Sequence, residues 1–154
     1  MPVRRPQRGP SSDPAVLDAV VQLSFSVQDV LARVAARYDV SVTQARLFGT
    51  LRGREPTMGA LKEHLALEKS SVSGLIDRAE RRGLVTRTTG HSDGRAVHVR
   101  LTDRGAELAN QFADEVYGEL ETLLAPLTDR DQRQLSELAG VILATRASPF
   151  ASSA

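Results

Sequence analysis

The sequence predicts a mainly α fold carrying one small β-hairpin, α+β in class. Three observations lead there. Apolar residues recur at the helical period in six stretches. One pair of short segments, β-branched or alternating, flanks a dense cluster of turn formers. Ser, Thr or Asp stands at the head of five of the helical stretches, where an N-cap belongs. At 154 residues the chain is the size of one domain and long enough to bury a core.

Residues 1–12 (MPVRRPQRGPSS) are rich in Pro, Arg and Ser and show no period, so they read as a disordered arm. Its arginines either touch a phosphate backbone or only solubilise. Asp13-Pro14 starts the first helix, the carboxylate as cap and proline at the first helical position. From there to Tyr38 nothing interrupts. Leu17, Val20, Val27, Leu31, Val34 and Tyr38 mark one face, and Val16, Val21, Leu23, Phe25 and Val30 widen it. A helix apolar on more than one side needs more partners than a small domain supplies, and a second subunit is the economical answer.

Ser41-x-x-Gln44 fits a capping box opening a second helix, with Ala45, Leu47, Phe48 and Leu51 inward, that stops at Gly53-Arg54-Glu55-Pro56. Thr57 caps a short third helix, Met58 to Leu65. After Ala66-Leu67 comes EKSSVSGLIDRAERRG (68–83), where Val72, Leu75, Ile76 and Ala79 form one apolar stripe. The opposite face carries Ser70, Gly74, Asp77 and Arg81, with Ser73 and Arg78 on its flanks. Small hydroxyls and arginines on a helix suit base edges and phosphates in a major groove. A solvated amphipathic surface helix has the same pattern, so this helix leaves both readings open.

The next segment weighs between them. Gly83 is a C-cap, residues 84–88 are extended, 89–94 (TGHSDG) form a turn, and 95–101 alternate with Val97, Val99 and Leu101 on one side. A lone hairpin is marginal in water and must pack on the helices before it. Two short helices with a tight connection, followed by a hairpin, make a winged helix-turn-helix, and Arg87 and Arg95 let the wing reach phosphates or a minor groove. Thr102-Asp103 then caps a long helix to about Ala125, with Ala109, Phe112, Val116, Leu120, Leu123 and Leu124 as its seam and Pro126 as its stop. Thr128-x-x-Asp131 opens a last helix ending near Thr145. Residues 13–40 and 102–146 are thus expected to form a helical dimerisation region, 41–101 the DNA-binding region, and 147–154 a tail.

The charges nearly cancel, 20 basic against 19 acidic, but their distribution does not. Residues 40–104 hold 12 basic and 7 acidic side chains, whereas 105–154 hold 3 and 8. A basic middle between acidic flanks is the footprint of a module meeting a polyanion. The absence of cysteine excludes disulfides, thiolate zinc sites and thiol redox chemistry. His64, His91 and His98 lack ligand spacing, and neither a nucleophile–base pair nor a phosphate-binding glycine loop is present. No metal, cofactor or enzymatic role is therefore expected. With no uninterrupted 18-residue apolar run and no signal-peptide core, a soluble cytoplasmic protein without a membrane partner is expected.

SVTQARLFGTLRGREPTMGALKEHL, EKSSVSGLIDRAERRGLVTR and the wing's SDGRAVHVRLTDRG, in that order, resemble the MarR (multiple antibiotic resistance regulator) family of winged-helix transcription regulators. The likeness spans 14–146 and is most specific at Asp93-Gly94-Arg95-Ala96 followed by Leu101-Thr102. It implies a two-fold symmetric homodimer astride a palindromic operator, with half-sites about 34–36 Å apart, acting as a repressor and relieved by a small ligand, such as an aromatic acid or phenol, bound between the helical layer and the winged lobe. By the same resemblance Lys69, Ser70, Ser71, Ser73, Gly74, Asp77 and Arg81 lie on the DNA-facing helix. Arg95 enters the minor groove, oriented by Asp93. Arg78 either reads DNA or pairs with the wing aspartate, Arg87 serves the wing, and Thr57 holds a phosphate through its backbone N–H. Phe25, Gln28, Tyr38, Arg46 and Phe48 are candidates for lining the effector site or for ordinary core and surface. Lys62 stands where the family usually has alanine, Ala66 where it has a turn glycine, and Ala79 where it has leucine. A dimeric protein-interaction module without DNA specificity is the competing reading.

Overall fold

The computed structural model describes residues 13–89 and 96–144. The arm (1–12), the wing tip with His91, Asp93 and Arg95, and the tail from 145 onward lie outside them. Among the described residues the order is α1 (Pro14–Arg37), α2 (Val42–Leu51), α3 (Met58–Leu65), α4 (Lys69–Arg81), β1 (Val85–Thr89), β2 (Val97–Leu101), α5 (Asp103–Leu124) and α6 (Asp129–Ala144). The expected mainly helical winged fold is what forms.

The helix starts follow their caps. Asp13 accepts the Ala15 N–H at 2.9 Å, and Thr57 accepts that of Ala60 at 3.1 Å. Ser41 and Gln44 form the full capping box, so the buried Gln44 accepts the Ser41 N–H through Oε1 and donates its own N–H to Ser41 Oγ. The strands pair antiparallel with Val85 opposite Leu101, Arg87 opposite Val99 and Thr89 opposite Val97. A third segment flanks them. The Val99 N–H donates to the Pro56 carbonyl at 3.0 Å, and His98 Nδ1–H donates to that of Glu55 at 2.8 Å. The loop before α3 is thereby stitched to the wing.

The core lies under α4. Leu47, Phe48 and Leu51 of α2, Leu61 and Leu65 of α3, Val72, Leu75, Ile76 and Ala79 of α4, and Leu84, Val85 and Val99 are all buried, and Val34, Ala109 and Phe112 extend the cluster to α1 and α5. Ala79, smaller than the residue usual in the family, is fully enclosed. Ala66 takes the left-handed conformation of the missing glycine, φ 53° and ψ 45°. The turn geometry therefore survives the departure, with strain in an alanine backbone.

α1 and α5 are joined at their surface. Arg37 bonds Glu115 at 2.9 Å and Glu119 at 2.6 Å, Arg33 bonds Glu119 at 2.8 Å, and the Tyr38 hydroxyl donates to Glu115 at 2.6 Å. Beneath them the Tyr38 and Phe112 rings meet edge-on, centroids 5.8 Å apart. Beyond this clasp the terminal helices are uncovered: Val16, Leu17, Val20, Val21, Leu23 and Phe25 of α1 and Leu138, Val141, Ile142 and Leu143 of α6 are exposed.

α1 reaches a mean hydropathy of 1.4, long and apolar enough by length and composition to cross a membrane. Asp18, Gln22, Ser24 and Ser26 break any continuous apolar run, but valine, alanine and leucine carry the average. The last third of the helix is committed to the core through Val30, Val34 and Ala35.

Three outcomes are expected. A Cβ on Gly105 would sit 1.8 Å from the Leu84 carbonyl oxygen, so Gly105→Ala should lower unfolding free energy in urea by about 3 kcal/mol or prevent folding. An unchanged midpoint would contradict the close approach. Ala66→Gly should raise stability by about 1 kcal/mol by relieving the left-handed alanine. Glu119 is held below its ordinary 4.5, first by the Arg37 hydrogen bond and then by that of Arg33. A depressed carboxylate contributes its stability above the unfolded value and loses it as pH falls through the folded one. The thermal unfolding midpoint should therefore fall more steeply below pH 4.5 in the parent than in Glu119→Gln; parallel curves would show that the clasp adds no stability.

Candidate nucleic-acid interface

α4 is presented by contrast between its two faces. Its apolar stripe is fixed in the core, which leaves Lys69, Ser70, Ser71, Asp77, Arg78 and Arg81 exposed and Ser73 and Gly74 half-buried. The expected DNA-facing residues of this helix are thus brought onto one surface. Glu68 forms no side-chain cap, so the first N–H groups of α4 receive no acceptor from it. Gly74 makes room within the helix: a Cβ there would lie 3.4 Å from Arg78 Nη1. The Arg78 side chain therefore folds back along its own helix over the glycine.

Arg87 sits differently from a free phosphate contact. From β1 it bonds Asp77 at 2.6 Å and also Glu80, both on α4, while its backbone N–H donates to Glu80 Oε1 at 3.2 Å. Partial burial works against its charge, but the bonds and attraction from Asp77 and Glu80 outweigh it and raise the guanidinium further above its ordinary value. This charge ties the wing to the recognition helix, and Asp77 is engaged in the same tie. Glu80 was not singled out by sequence reasoning; its spacing of three from Asp77, one helical turn facing the next strand, was the available signal. Arg82 is likewise turned inward, donating to the Asp39 carbonyl at 2.8 Å.

Thr57 lies beside α4, half-buried and paired with His98. It lines a cavity of about 640 Å³ with Met58, Gly59, Lys62, Lys69, Val72, Ser73, Arg87, Ala96 and Val97, between α3, α4 and the root of the wing. The prospective effector residues do not converge. Phe25, Gln28 and Arg46 are exposed, Phe48 is buried in the core, and Tyr38 is engaged with Glu115 and Phe112. None of the five lines this cavity or a second one of similar size between α1 and α5, bounded by Ser26, Asp29, Val30, Arg33, Glu119, Thr122 and Leu123. Among the described residues no group of three or more His, Cys, Asp or Glu is placed to hold a metal ion.

Fold and surface together define a winged helix-turn-helix protein carried on long terminal helices. Residues 38–96 match the MarR family. The regulator PecS of Dickeya dadantii, described as an HTH-type transcriptional regulator, is 25% identical over 129 residues, covering 81% of this chain and 78% of that one. Among solved structures, wild-type apo MarR from E. coli superposes with a TM-score of 0.72 at 23% identity, covering 88% of this chain and 99% of the other. NadR in complex with 4-hydroxyphenylacetate does so with 0.72 at 19%, covering 88% and 97%. Residues 38–96 thus carry the winged-helix region of the MarR family, and over most of its length the chain is similar to a transcriptional regulator.

Removing the Arg87 tie is expected to loosen the wing relative to α4. Arg87→Ala should shift the backbone amide resonances of residues 85–88 and 97–100 and increase their hydrogen exchange, with the exchange of the buried α4 stripe unchanged. Exchange indistinguishable from the parent would show that the tie does not hold the wing.

Proposed function

We propose that this regulator binds double-stranded DNA sequence-specifically as a homodimer, represses transcription from an inverted-repeat operator, and is released by a small aromatic acid. The carrying observation is the exposed face of α4, hydroxyls and cations on a helix whose other face is immobilised in the core. In this reading Ser70, Ser71, Ser73 and Arg81 meet base edges and phosphates in the major groove, and Lys69 and the backbone of Thr57 meet phosphate. Arg95, oriented by Asp93, enters the minor groove, while Asp77 and Arg87 fix the wing angle.

Residues 13–40 and 102–146 supply the dimer contact and 41–101 the DNA-binding region. The uncovered apolar side chains of α1 and α6 support this, because a second copy removes them from water, worth about 25 cal/mol per Å² of apolar surface. Such a regulator works in the cytoplasm, where the DNA is. Release is supported by NadR, whose structure holds 4-hydroxyphenylacetate. A ligand shifts lobe spacing only if it binds the two spacings unequally. Phe25 and Gln28, on the uncovered part of α1, then complete the effector site only beside the partner.

The test is a mobility shift on duplexes selected from a random pool, with sedimentation of the free protein. The expected result is a dimer that binds an inverted repeat and weakens steeply with salt. Arg81→Ala and Arg95→Ala should each cost about 1–3 kcal/mol of specific binding without changing the fold. A monomer that recovers no duplex would overturn the reading, and two variants binding like the parent would overturn the residue roles.

A further inference from the structure

Of the chain's 20 basic residues only Lys62 and Lys69 are lysines; the other 18 are arginines. The two lie on different helices, α3 and α4, yet both are exposed and both line the cavity between α3, α4 and the wing root. They share it with Ser73 of the DNA-facing surface and with Arg87. Arg87 is neutralised there by Asp77 and Glu80, whereas neither lysine forms an ion pair among the described residues. The open positive charge of this cavity therefore resides on two primary amines.

Guanidinium stays protonated and inert toward acyl donors, but a lysine amine can deprotonate and react. Any reagent selective for side-chain amines thus finds its targets solely at this cavity, which also holds Thr57 and Ser73, two residues proposed above to meet DNA. The positive potential that attracts a phosphodiester also concentrates a small anionic donor. We propose that Lys62 and Lys69 are an acylation site at which an acyl phosphate lowers DNA affinity. The ammonium first loses a proton to solvent. The Nζ lone pair then attacks the acyl carbon, an N–C amide bond forms, the C–O bond to phosphate breaks with its electron pair leaving on phosphate, and the nitrogen gives up its second proton to that departing phosphate. The amide is uncharged. The inference rests on the DNA-binding reading, and in a dimer it removes two charges per chain.

The test treats the full-length protein with acetyl phosphate, maps acetylation by peptide mass spectrometry, and measures affinity for the selected duplex by fluorescence anisotropy. Acetylation is expected at Lys62 and Lys69, blocked by bound duplex. Affinity should fall by about tenfold or more, and the salt slope should become shallower by up to about 3.6 for four lost phosphate contacts per dimer. The thermal midpoint should stay in place because both side chains are exposed. Lys62→Arg/Lys69→Arg, each preparation compared with its own untreated affinity, should show no response to acetyl phosphate. If both lysines acetylate and affinity holds, or if the double variant responds as the parent does, the acylation site is wrong while the DNA reading stands. If untreated protein binds no duplex, the DNA reading itself falls and this inference with it.

Discussion

The carbonyl of Leu84 is the joint on which the arrangement turns. It accepts the Thr102 N–H at 3.1 Å, the Thr102 hydroxyl donates to the neighbouring Gly83 carbonyl at 2.6 Å, and Gly105 passes so close that no side chain fits there. The end of α4, the first wing strand and the start of α5 therefore meet at one point with little freedom. Because α5 is in turn clasped to α1 by Arg33, Arg37 and Tyr38, the orientation of the recognition helix is transmitted to the terminal helices. A small shift in those helices has a rigid route to α4.

Charge in this molecule divides by direction. Arg33, Arg37, Arg82 and Arg87 are turned onto protein acceptors and set angles between elements. Lys69 and Arg81 remain on the exposed face of α4, and Arg78 lies along it over Gly74. Exposed pairs of the first kind contribute little stability individually. Their value is geometric, since a planar guanidinium held by two carboxylates fixes a strand against a helix.

Local chemistry made most of the fold legible. Asp13, Ser41, Thr57 and Thr102 each cap the helix that their position announced, and the α4 stripe falls on the buried side. Contacts between residues far apart in sequence were not legible. Nothing in the period of α5 marks Gly105 as the point where Leu84 approaches, and nothing in Arg87 distinguishes a phosphate contact from a strut until Asp77 and Glu80 are seen beside it. The apolar character of α1 is an average rather than a run, because Asp18, Gln22, Ser24 and Ser26 interrupt it. The effector candidates share only residue type, and in one chain Phe25, Tyr38 and Phe48 occupy three different environments.

The central claim is that two copies present their recognition helices one turn of duplex apart. The chain has no cysteine, so Glu68→Cys at the exposed, uncapped start of α4 takes a single nitroxide label. Pulsed electron–electron resonance on the DNA-bound protein should give one inter-label distance near the half-site spacing of about 34–36 Å. Absence of dipolar coupling, or a distance unchanged by the duplex and far from that spacing, would contradict the account.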